Sequence, residues 1–431
     1  MLTPVFVAGL GRSGTTAMMS LLATDSRVAV DRVYPFENRY FTYLAKIALL
    51  IDRQDSRSPR SQINLHDFEY SVFDGPPWDS RPAFPADNTR LLGFPSRDEI
   101  LPNLWGLFNT RAAEVAPDAE FYAEKAPSWV PSMAREYFHA FTIFLFRDLR
   151  DVYISANAFM RMNKEHSFGR SRGDTDLDHA RSLTHAFLNY FENYFMDRPR
   201  EDCMLVRYED MVLHPEHLPE RLEHCLSLKV RWSDALSWPE KHRTAADTAQ
   251  SVNRWRREPL PAEVAGFFAR HLHSEMTHLG YSIPAGSKNS LLRFEFRRGA
   301  AGVAQLAHSG DGRLDLKKDH AAVSVTGPDF WIELPLEPFD AASVREIWVS
   351  LKGGVGEVCS LYWLAEAGSF CEECCSHIDY WPGPQWQVIR FDLSRYPMWK
   401  GRIAGLRLDI FNAADPETTG TGAIRWLRAV E

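Results

Sequence analysis

The sequence predicts an α/β protein, a doubly wound parallel sheet followed by an antiparallel β-sandwich. Three observations predict it. A short apolar strand, TPVFVAGL, runs into a Gly-rich turn and then a helical stretch, TTAMMSLLAT. Further apolar strands alternate with amphipathic helical stretches up to about residue 284, which implies parallel strands joined by crossovers. From about residue 290 short runs alternate apolar and polar residues between Gly, Pro and Asp turns, the pattern of an antiparallel sandwich.

Each element has its own signal. AFTIFLFRD is too continuously apolar for a sheet wetted on one face, so it predicts a strand covered on both sides. RDVYISANAFMRM reads as the helix that follows it. CMLVRYEDM predicts a third strand and a turn. PAEVAGFFARHLHSEMTHLGY predicts a closing helix that starts near Pro261 and stops at Gly280. SIPAGSKNS reads as a linker, which sets two domains, 1–284 and 290–431. In the second, DFWIELPL, REIWVSLKG, QWQVIRFDL and IAGLRLDIF are the expected strands. DRQDSRSPRSQ (52–62) reads as an exposed loop, and neither internal repeats nor long low-complexity segments occur.

Composition narrows the class. A chain of 431 residues with 45% hydrophobic, 25% charged and 13% aromatic residues supports two or three domains with large cores. Its net charge of −8 argues against general nucleic-acid affinity. No apolar run reaches the ~18–20 residues of a membrane span. The first strand begins almost at Met1, with no basic n-region and no A-x-A site. The six cysteines, Cys203, Cys225, Cys359, Cys371, Cys374 and Cys375, are sparse and uneven, as in a reduced cytoplasmic protein.

The first strand–turn–helix carries an anion site. In GLGRSGTT, Gly9 and Gly14 have Walker A spacing and Thr16 stands at the final Ser/Thr, but Thr15 replaces the lysine. A helix N-terminus offers unpaired N–H groups and partial positive charge, and glycines let backbone wrap close to phosphate oxygens. Arg12 adds a cation inside the turn. The missing lysine, and the lack of an acidic strand end to hold magnesium, disfavour nucleoside-triphosphate hydrolysis. In TIFLFRDLRDVYISANAFMRM, Arg147 ends a strand and Ser155 lies eight residues on, inside the next helix. Both can reach a phosphate lying across the carboxyl ends of neighbouring strands. Alternatively, Arg147 and Arg150 pair with Asp148 and Asp151 on a solvated turn.

These stretches carry a family resemblance. GLGRSGTTAMMSLL resembles the 5′-phosphosulfate loop of sulfotransferases, and FRDLRDVYISANAF resembles their 3′-phosphate motif. Arg12 in the loop is similar to the tyrosylprotein and bacterial branches. VRYEDM (206–211) looks like the third recurring element, and TAQSVNRWRREP (248–259) is similar to the late loop that closes over the nucleotide. The resemblance implies 3′-phosphoadenosine 5′-phosphosulfate as co-substrate, 3′,5′-adenosine bisphosphate as product, and no metal. It places the 5′-phosphosulfate on Gly11, Arg12, Ser13, Gly14, Thr15 and Thr16, and the 3′-phosphate on Arg147 and Ser155. Tyr208 corresponds to a nucleotide-contacting tyrosine, with Ser251 and Arg254 in the late loop.

Sulfuryl transfer to a hydroxyl needs a base for the acceptor proton, charge for the departing phosphate, and alignment. Arg12, the loop N–H groups and Thr15 suit the leaving phosphate. Lys125 in YAEKAPSW matches the family's K-x-P element near the transferring group; otherwise it is a surface lysine before a proline turn. Glu37 in DRVYPFENRY occupies the stretch where relatives with Arg in the loop carry a catalytic glutamate, with Asp31 and then His66 as competitors. Glu37 beside Arg39 also reads as a surface ion pair.

The acceptor class follows less directly. Residues 62–110 are rich in aromatics and prolines, and Trp78, Phe84 and Trp105 either stack on sugar faces or belong to a core. WKGRIAGLRLDIFN and GAIRWLRAV resemble closing strands of jelly-roll carbohydrate-binding and galactose-binding-like modules. Trp381, Trp386 and Trp399 are candidate sugar platforms there, although sandwich tryptophans commonly fill the core. A glycan or glycolipid hydroxyl is the leading acceptor; a protein tyrosine or a small alcohol is the alternative. A P-loop kinase and an inactive glycan-binding protein are the competing functions, and a homo-oligomer is left open. FCEECCSH, with Cys371, Cys374, Cys375 and His377, lacks the second knuckle of a structural zinc site. His271, His273 and His278 read as structural.

Overall fold

The computed structural model describes residues 1–51, 97–196, 201–235, 244, 248–285, 292–327, 329–353, 358–366, 368–380, 383–412 and 420–431. The loop 52–62, His66, Trp78, Phe84, Trp381 and the linker residues 286–290 lie outside them. The chain divides into two compact units, one made of Met1–Ala48 and Arg97–Lys288, the other containing Asn289–Glu431.

The first unit runs β1 (Thr3–Ala8), α1 (Thr15–Leu22), β2 (Val28–Ala29), α2 (Tyr40–Ile51), α3 (Arg97–Val115), β3 (Phe121–Ala126), α4 (Val130–Tyr137), β4 (Phe141–Phe146), α5 (Leu149–Asn163), α6 (Asp176–Met196), β5 (Cys203–Arg207), α7 (Tyr208–Leu213), α8 (His217–Leu226) and α9 (Ala262–His278). Its five strands are all parallel, in the order β2-β3-β1-β4-β5. After β1 the chain builds one side of the sheet, then crosses to the other at β4. The carboxyl ends of β1, β3 and β4 therefore flank the crevice where open α/β sheets bind ligands.

Packing explains the continuous apolar run of β4: all six of its residues are buried. Met18, Met19, Leu21 and Leu22 of α1 fill one core with Val5, Val7, Ile143 and Leu145. An aromatic cluster forms a second, in which Trp105 is fully buried, stacks on Phe108 at 4.9 Å and meets Phe41 edge-on at 5.1 Å. Trp105 is thus a core residue. Two local expectations change. VRYEDM ends β5 in a short helix, α7, rather than a bare turn. YAEKAPSW contains a buried strand, β3, whose adjacent charges Glu124 and Lys125 disguise its apolar character.

The second unit contains β6 (Arg293–Glu295), β7 (Ala307–His308), β8 (Gly312–Leu316), β9 (Ala321–Val325), β10 (Trp331–Leu334), β11 (Phe339–Asp340), β12 (Glu346–Gly353), β13 (Val358–Ala365), β14 (Cys375–Asp379), β15 (Gly383–Asp392), β16 (Arg402–Asn412) and β17 (Gly420–Val430). They form two antiparallel sheets. One has the order β14-β13-β16-β10-β7 with β11 on β16; the other has β15-β12-β17-β9-β8 with β6 on β17. Alternate residues such as Trp363, Ile332 and Leu408 meet Val349, Phe391 and Leu427 in one core. Trp348, Trp363 and Trp426 are buried, Trp399 packs against the core, and three of these indoles donate to nearby acceptors. Trp363 donates to the Met398 carbonyl at 3.2 Å, Trp348 to Glu346 at 2.6 Å, and Trp399 to the Val344 carbonyl at 2.8 Å. Trp386 is buried too. On the opposite face of β10, β13 and β16, Trp331 and Tyr362 each hold Arg407 at 5.2 Å, and Arg407 pairs with Asp409 at 2.7 Å.

Candidate active site

The site begins where β1 ends. Gly9 passes so close to β4 that a Cβ there would lie 2.4 Å from the Leu145 carbonyl oxygen. Arg12 and Gly14 both take left-handed backbone, with φ of +68° and +95°. At Gly14 a Cβ would also press within 2.6 Å of the Tyr208 ring. The Ser13 amide and hydroxyl both donate to the Leu10 carbonyl, closing the turn at 3.2 and 2.5 Å. Helix α1 starts directly after, with Thr15 buried and Thr16 half-buried in its first turn.

Three guanidinium groups gather beside this turn. Arg147, buried at the end of β4, donates to the Arg12 carbonyl at 2.8 Å and to the Ser251 carbonyl at 2.7 Å, and lies over the Tyr208 ring at 4.3 Å. Its Nε has no partner among the described residues. Arg12 donates to the Ser155 hydroxyl at 3.2 Å and to the Thr244 hydroxyl at 3.4 Å, and packs on the Phe159 ring at 4.8 Å. Burial, then the neighbouring Arg147 charge, pull Arg12 from 12.5 down to about 10. Arg254 is buried as well; it donates to the Thr244 carbonyl at 2.9 Å and forks onto Glu258 at 2.5 and 2.9 Å. Tyr208 and Ser251 share a hydrogen bond of 2.7 Å. The loop, the β4 end, the start of α7 and the late segment therefore meet at one point. Arg147 is not part of a solvated ion-pair turn: Asp148 takes Arg150 instead, at 2.6 Å, and both are buried.

A second constellation lies on the other side of α1's first turn. Lys125 points from β3 and donates to Thr16 Oγ1 at 2.8 Å and to Glu37 Oε1 at 2.7 Å. It is 6% exposed, which rules out the surface-lysine alternative. Burial lowers the Lys125 ammonium below its ordinary value, with Glu37 opposing the shift. Glu37 follows a tight turn in which Phe36 is buried at φ +66°. Burial pushes its carboxyl up, but the hydrogen bond and charge of Lys125, with Arg39 beside it, outweigh that and hold it below 4.5. Arg39 also pairs with Glu37, so Glu37 is shared between two cations. Asp31 turns elsewhere: it accepts the Val33 amide at 2.9 Å and the Asn38 and Tyr40 side chains.

Several participants had no sequence signal. Thr244 stands in a stretch without a motif, and Phe159 and Phe168 look like ordinary core aromatics; a Cβ on Gly11 would meet the Phe168 ring at 2.7 Å. Glu124 is buried, and burial pushes it up to about 6. Its two oxygens accept the Phe41 and Thr42 amides and the Thr42 and Tyr122 hydroxyls, at 2.5–3.0 Å. This fixes the start of α2.

The sulfur cluster does not converge on a metal geometry among the described residues. Cys375 Sγ lies 3.7 Å from His377 Nδ1, and the cysteines are free thiols. Among the described residues, the group that does bring metal-binding atoms together is His214, Glu216 and His217, all exposed. His271 is buried, His273 meets the Ile283 carbonyl at 3.0 Å and His278 packs on Phe195, as structural histidines do. No described helix is long and apolar enough to cross a membrane.

Residues 4–234, more than half of the chain, match the model of the Sulfotransferase family. The chain belongs to that family. Among solved structures it is similar to the sulfotransferase domain from the curacin biosynthetic pathway, at 15% identity and TM-score 0.39, over 66% of this chain and 99% of that one. The sulfotransferase domain of the Synechococcus PCC 7002 olefin synthase is similar at 14% identity and TM-score 0.37, over 66% and 96%. A xylan-binding module from Roseburia intestinalis matches 32% of this chain and 95% of its own, at 14% identity and TM-score 0.24. No curated protein matches the chain.

Proposed function

We propose that this sulfotransferase-family chain moves the sulfuryl group of 3′-phosphoadenosine 5′-phosphosulfate onto a hydroxyl, in line, with a carboxylate as base. One observation carries the reading: Arg12, Arg147 and Arg254 gather at one corner, where Arg147 donates to the Arg12 and Ser251 carbonyls and both Arg12 and Arg254 reach Thr244. Such a corner favours a multiply charged anion, and the orphaned Arg147 Nε is a ready donor for it. The nucleotide supplies an activated sulfuryl group and a stable phosphate leaving group.

The chain's own residues divide the remaining work. Gly11, Arg12, Ser13, Gly14, Thr15 and Thr16 cradle the 5′ end, and Arg12 and Thr15 neutralise charge on the departing phosphate. Arg147 and Ser155 hold the 3′-phosphate, with Tyr208, Ser251 and Arg254 closing over the nucleotide. Lys125, bridging Thr16 and Glu37, places a cation between the loop and the base. Glu37 takes the acceptor proton. No residue in this scheme is assigned to a metal.

We read residues 1–284 as the catalytic domain and 290–431 as an accessory domain, with a glycan or glycolipid as acceptor. The half-exposed Trp331 and Tyr362 beside Arg407 and Asp409 combine ring faces with a forked charge pair, chemistry suited to sugar hydroxyls. They replace Trp386 and Trp399 as the platform, since those two are engaged with the core.

Calorimetric titration with 3′,5′-adenosine bisphosphate, and separately with ATP and magnesium, tests the donor. Tight binding of the bisphosphate alone is expected. A preference for ATP with magnesium would replace this reading with a kinase. Transfer of radiolabelled sulfate from the donor to a panel of glycans, tyrosine peptides and simple alcohols then tests the acceptor class.

A further inference from the structure

Helix α5 carries, in its first turn, a carboxylate with no task in the transfer just described. Asp151 has no exposed surface. Its Oδ1 accepts the backbone N–H of Trp255 at 2.9 Å, and its Oδ2 has no hydrogen-bond partner among the described residues. A buried, half-satisfied carboxylate is costly, so its contact with Trp255 stands out from ordinary packing. The charged groups that act on it are Arg147 at the end of β4, Asp148 at the cap of α5 and Glu209 of α7. Arg147 favours the carboxylate; the two acids oppose it.

Trp255 is gripped from a second direction. The Arg150 guanidinium lies 3.7 Å from the centre of its indole ring. Arg150 is itself fixed by a fork onto Asp148, at 2.9 and 2.6 Å, and by the Ser282 carbonyl at 2.8 Å. One helical turn thus holds both the amide and the ring of Trp255. Just before that anchor in the chain stand Arg254, turned to Thr244 and Glu258, and Ser251, tied to Arg147 and Tyr208.

We propose that Asp151 is a positioning residue that latches the 251–256 turn to the start of α5, so that one segment, 147–155, both presents Arg147 and Ser155 and sets Ser251 and Arg254. The proposal rests on the nucleotide-site reading above. Asp151 acts through Trp255, and the turn it holds completes the nucleotide side of the site.

Asp151→Ala and Asp151→Asn in the full chain test this. Asn keeps an acceptor where Oδ1 stands; Ala has none. Amide hydrogen exchange over 251–257 without ligand, and calorimetric affinity for 3′,5′-adenosine bisphosphate, are the two readouts. In the Ala variant, exchange over 251–257 should rise about 10- to 100-fold, the loss expected for a hydrogen bond to a charged group, with the rest of the first unit unchanged. Its bisphosphate affinity should fall about tenfold, and Asn should restore both readouts. Parent-like exchange and affinity in the Ala variant would overturn the proposal. So would equal acceleration across the whole unit in both variants, which marks a folding role. If the parent chain itself fails to bind the bisphosphate, the nucleotide-site reading falls, while the ligand-free exchange comparison still judges the latch.

Discussion

Replacing Arg147 with alanine separates what this side chain does for the protein from what it does for a ligand. Its guanidinium spans two backbone carbonyls, those of Arg12 and Ser251, at 2.8 and 2.7 Å, and covers the Tyr208 ring. Each hydrogen bond from a charged donor contributes about 1.5–3 kcal/mol. Losing the pair therefore loosens both the loop and the late turn, whichever nucleotide is present. A 3′-phosphate would lose a further charged contact of the same size, about a 10- to 150-fold change in affinity. The assay is parallel calorimetry of Arg147→Ala and parent with 3′,5′-adenosine bisphosphate and with adenosine 5′-monophosphate. The loosening weakens both ligands equally and cancels in the ratio, so the ratio of losses isolates the 3′ contact. Equal losses for the two nucleotides would remove Arg147 from the 3′ site.

Three other substitutions probe separate parts of the molecule. Glu37→Gln should cut turnover by about 10²- to 10⁴-fold, with bisphosphate affinity nearly intact; unchanged turnover would move the base elsewhere, Asp31 first. Because Lys125 and Arg39 hold Glu37 below 4.5 despite burial, it stays ionised at neutral and mildly acidic pH. Turnover limited by this group should be flat there and fall only as pH drops below about 4.5, as should the stability its ion pairs contribute; an activity limb near pH 6–7 belongs to another group. Gly14→Ala should abolish bisphosphate binding detectable by calorimetry, since φ +95° and a 2.6 Å contact with the Tyr208 ring both exclude a Cβ; parent-like affinity would contradict the loop geometry. Trp363→Ala, at a fully buried site of the sandwich, should lower its unfolding free energy by about 3–5 kcal/mol in denaturant titration; a change under 1 kcal/mol would mean the core collapses around the gap.

The parts of the molecule that were legible in sequence are those whose chemistry is local. GLGRSGTT announces itself because glycines, a cation and hydroxyls occur together within one turn. AFTIFLFRD does so because a strand covered on both faces must be apolar throughout. What stayed hidden depends on distant partners. Lys125 was legible only through its resemblance to the K-x-P element, and its burial shows only once β3 is flanked by β1 and β2, while its neighbour Glu124 looks like the other half of a surface pair. Thr244 has no signature because its role is to stand between Arg12, Ser155 and Arg254. The different surroundings of Glu37 and Asp31 were equally hidden: the tight turn at Phe36 aims the first at Lys125 and leaves the second among local hydrogen-bond donors. The tryptophans of the sandwich left sugar platform and core both open in sequence, and the indole N–H groups of Trp348, Trp363 and Trp399 find acceptors within the fold.

Glu124 and Lys125, adjacent on one strand, face different tasks. Lys125 reaches Thr16 of the donor loop and Glu37, whereas Glu124 clamps the first turn of α2 through three hydrogen bonds and accepts a fourth from Tyr122 of its own strand. The segment 52–96 follows directly from α2. A change of sequence there is thus insulated from the donor loop by a helix start that is fixed independently of whatever comes after it. For the engineer, the first turn of α2 is a fixed joint: substitutions beyond it that leave Phe41, Thr42 and Glu124 in place keep the helix start, and with it the seat of β3 beside the donor loop, unchanged.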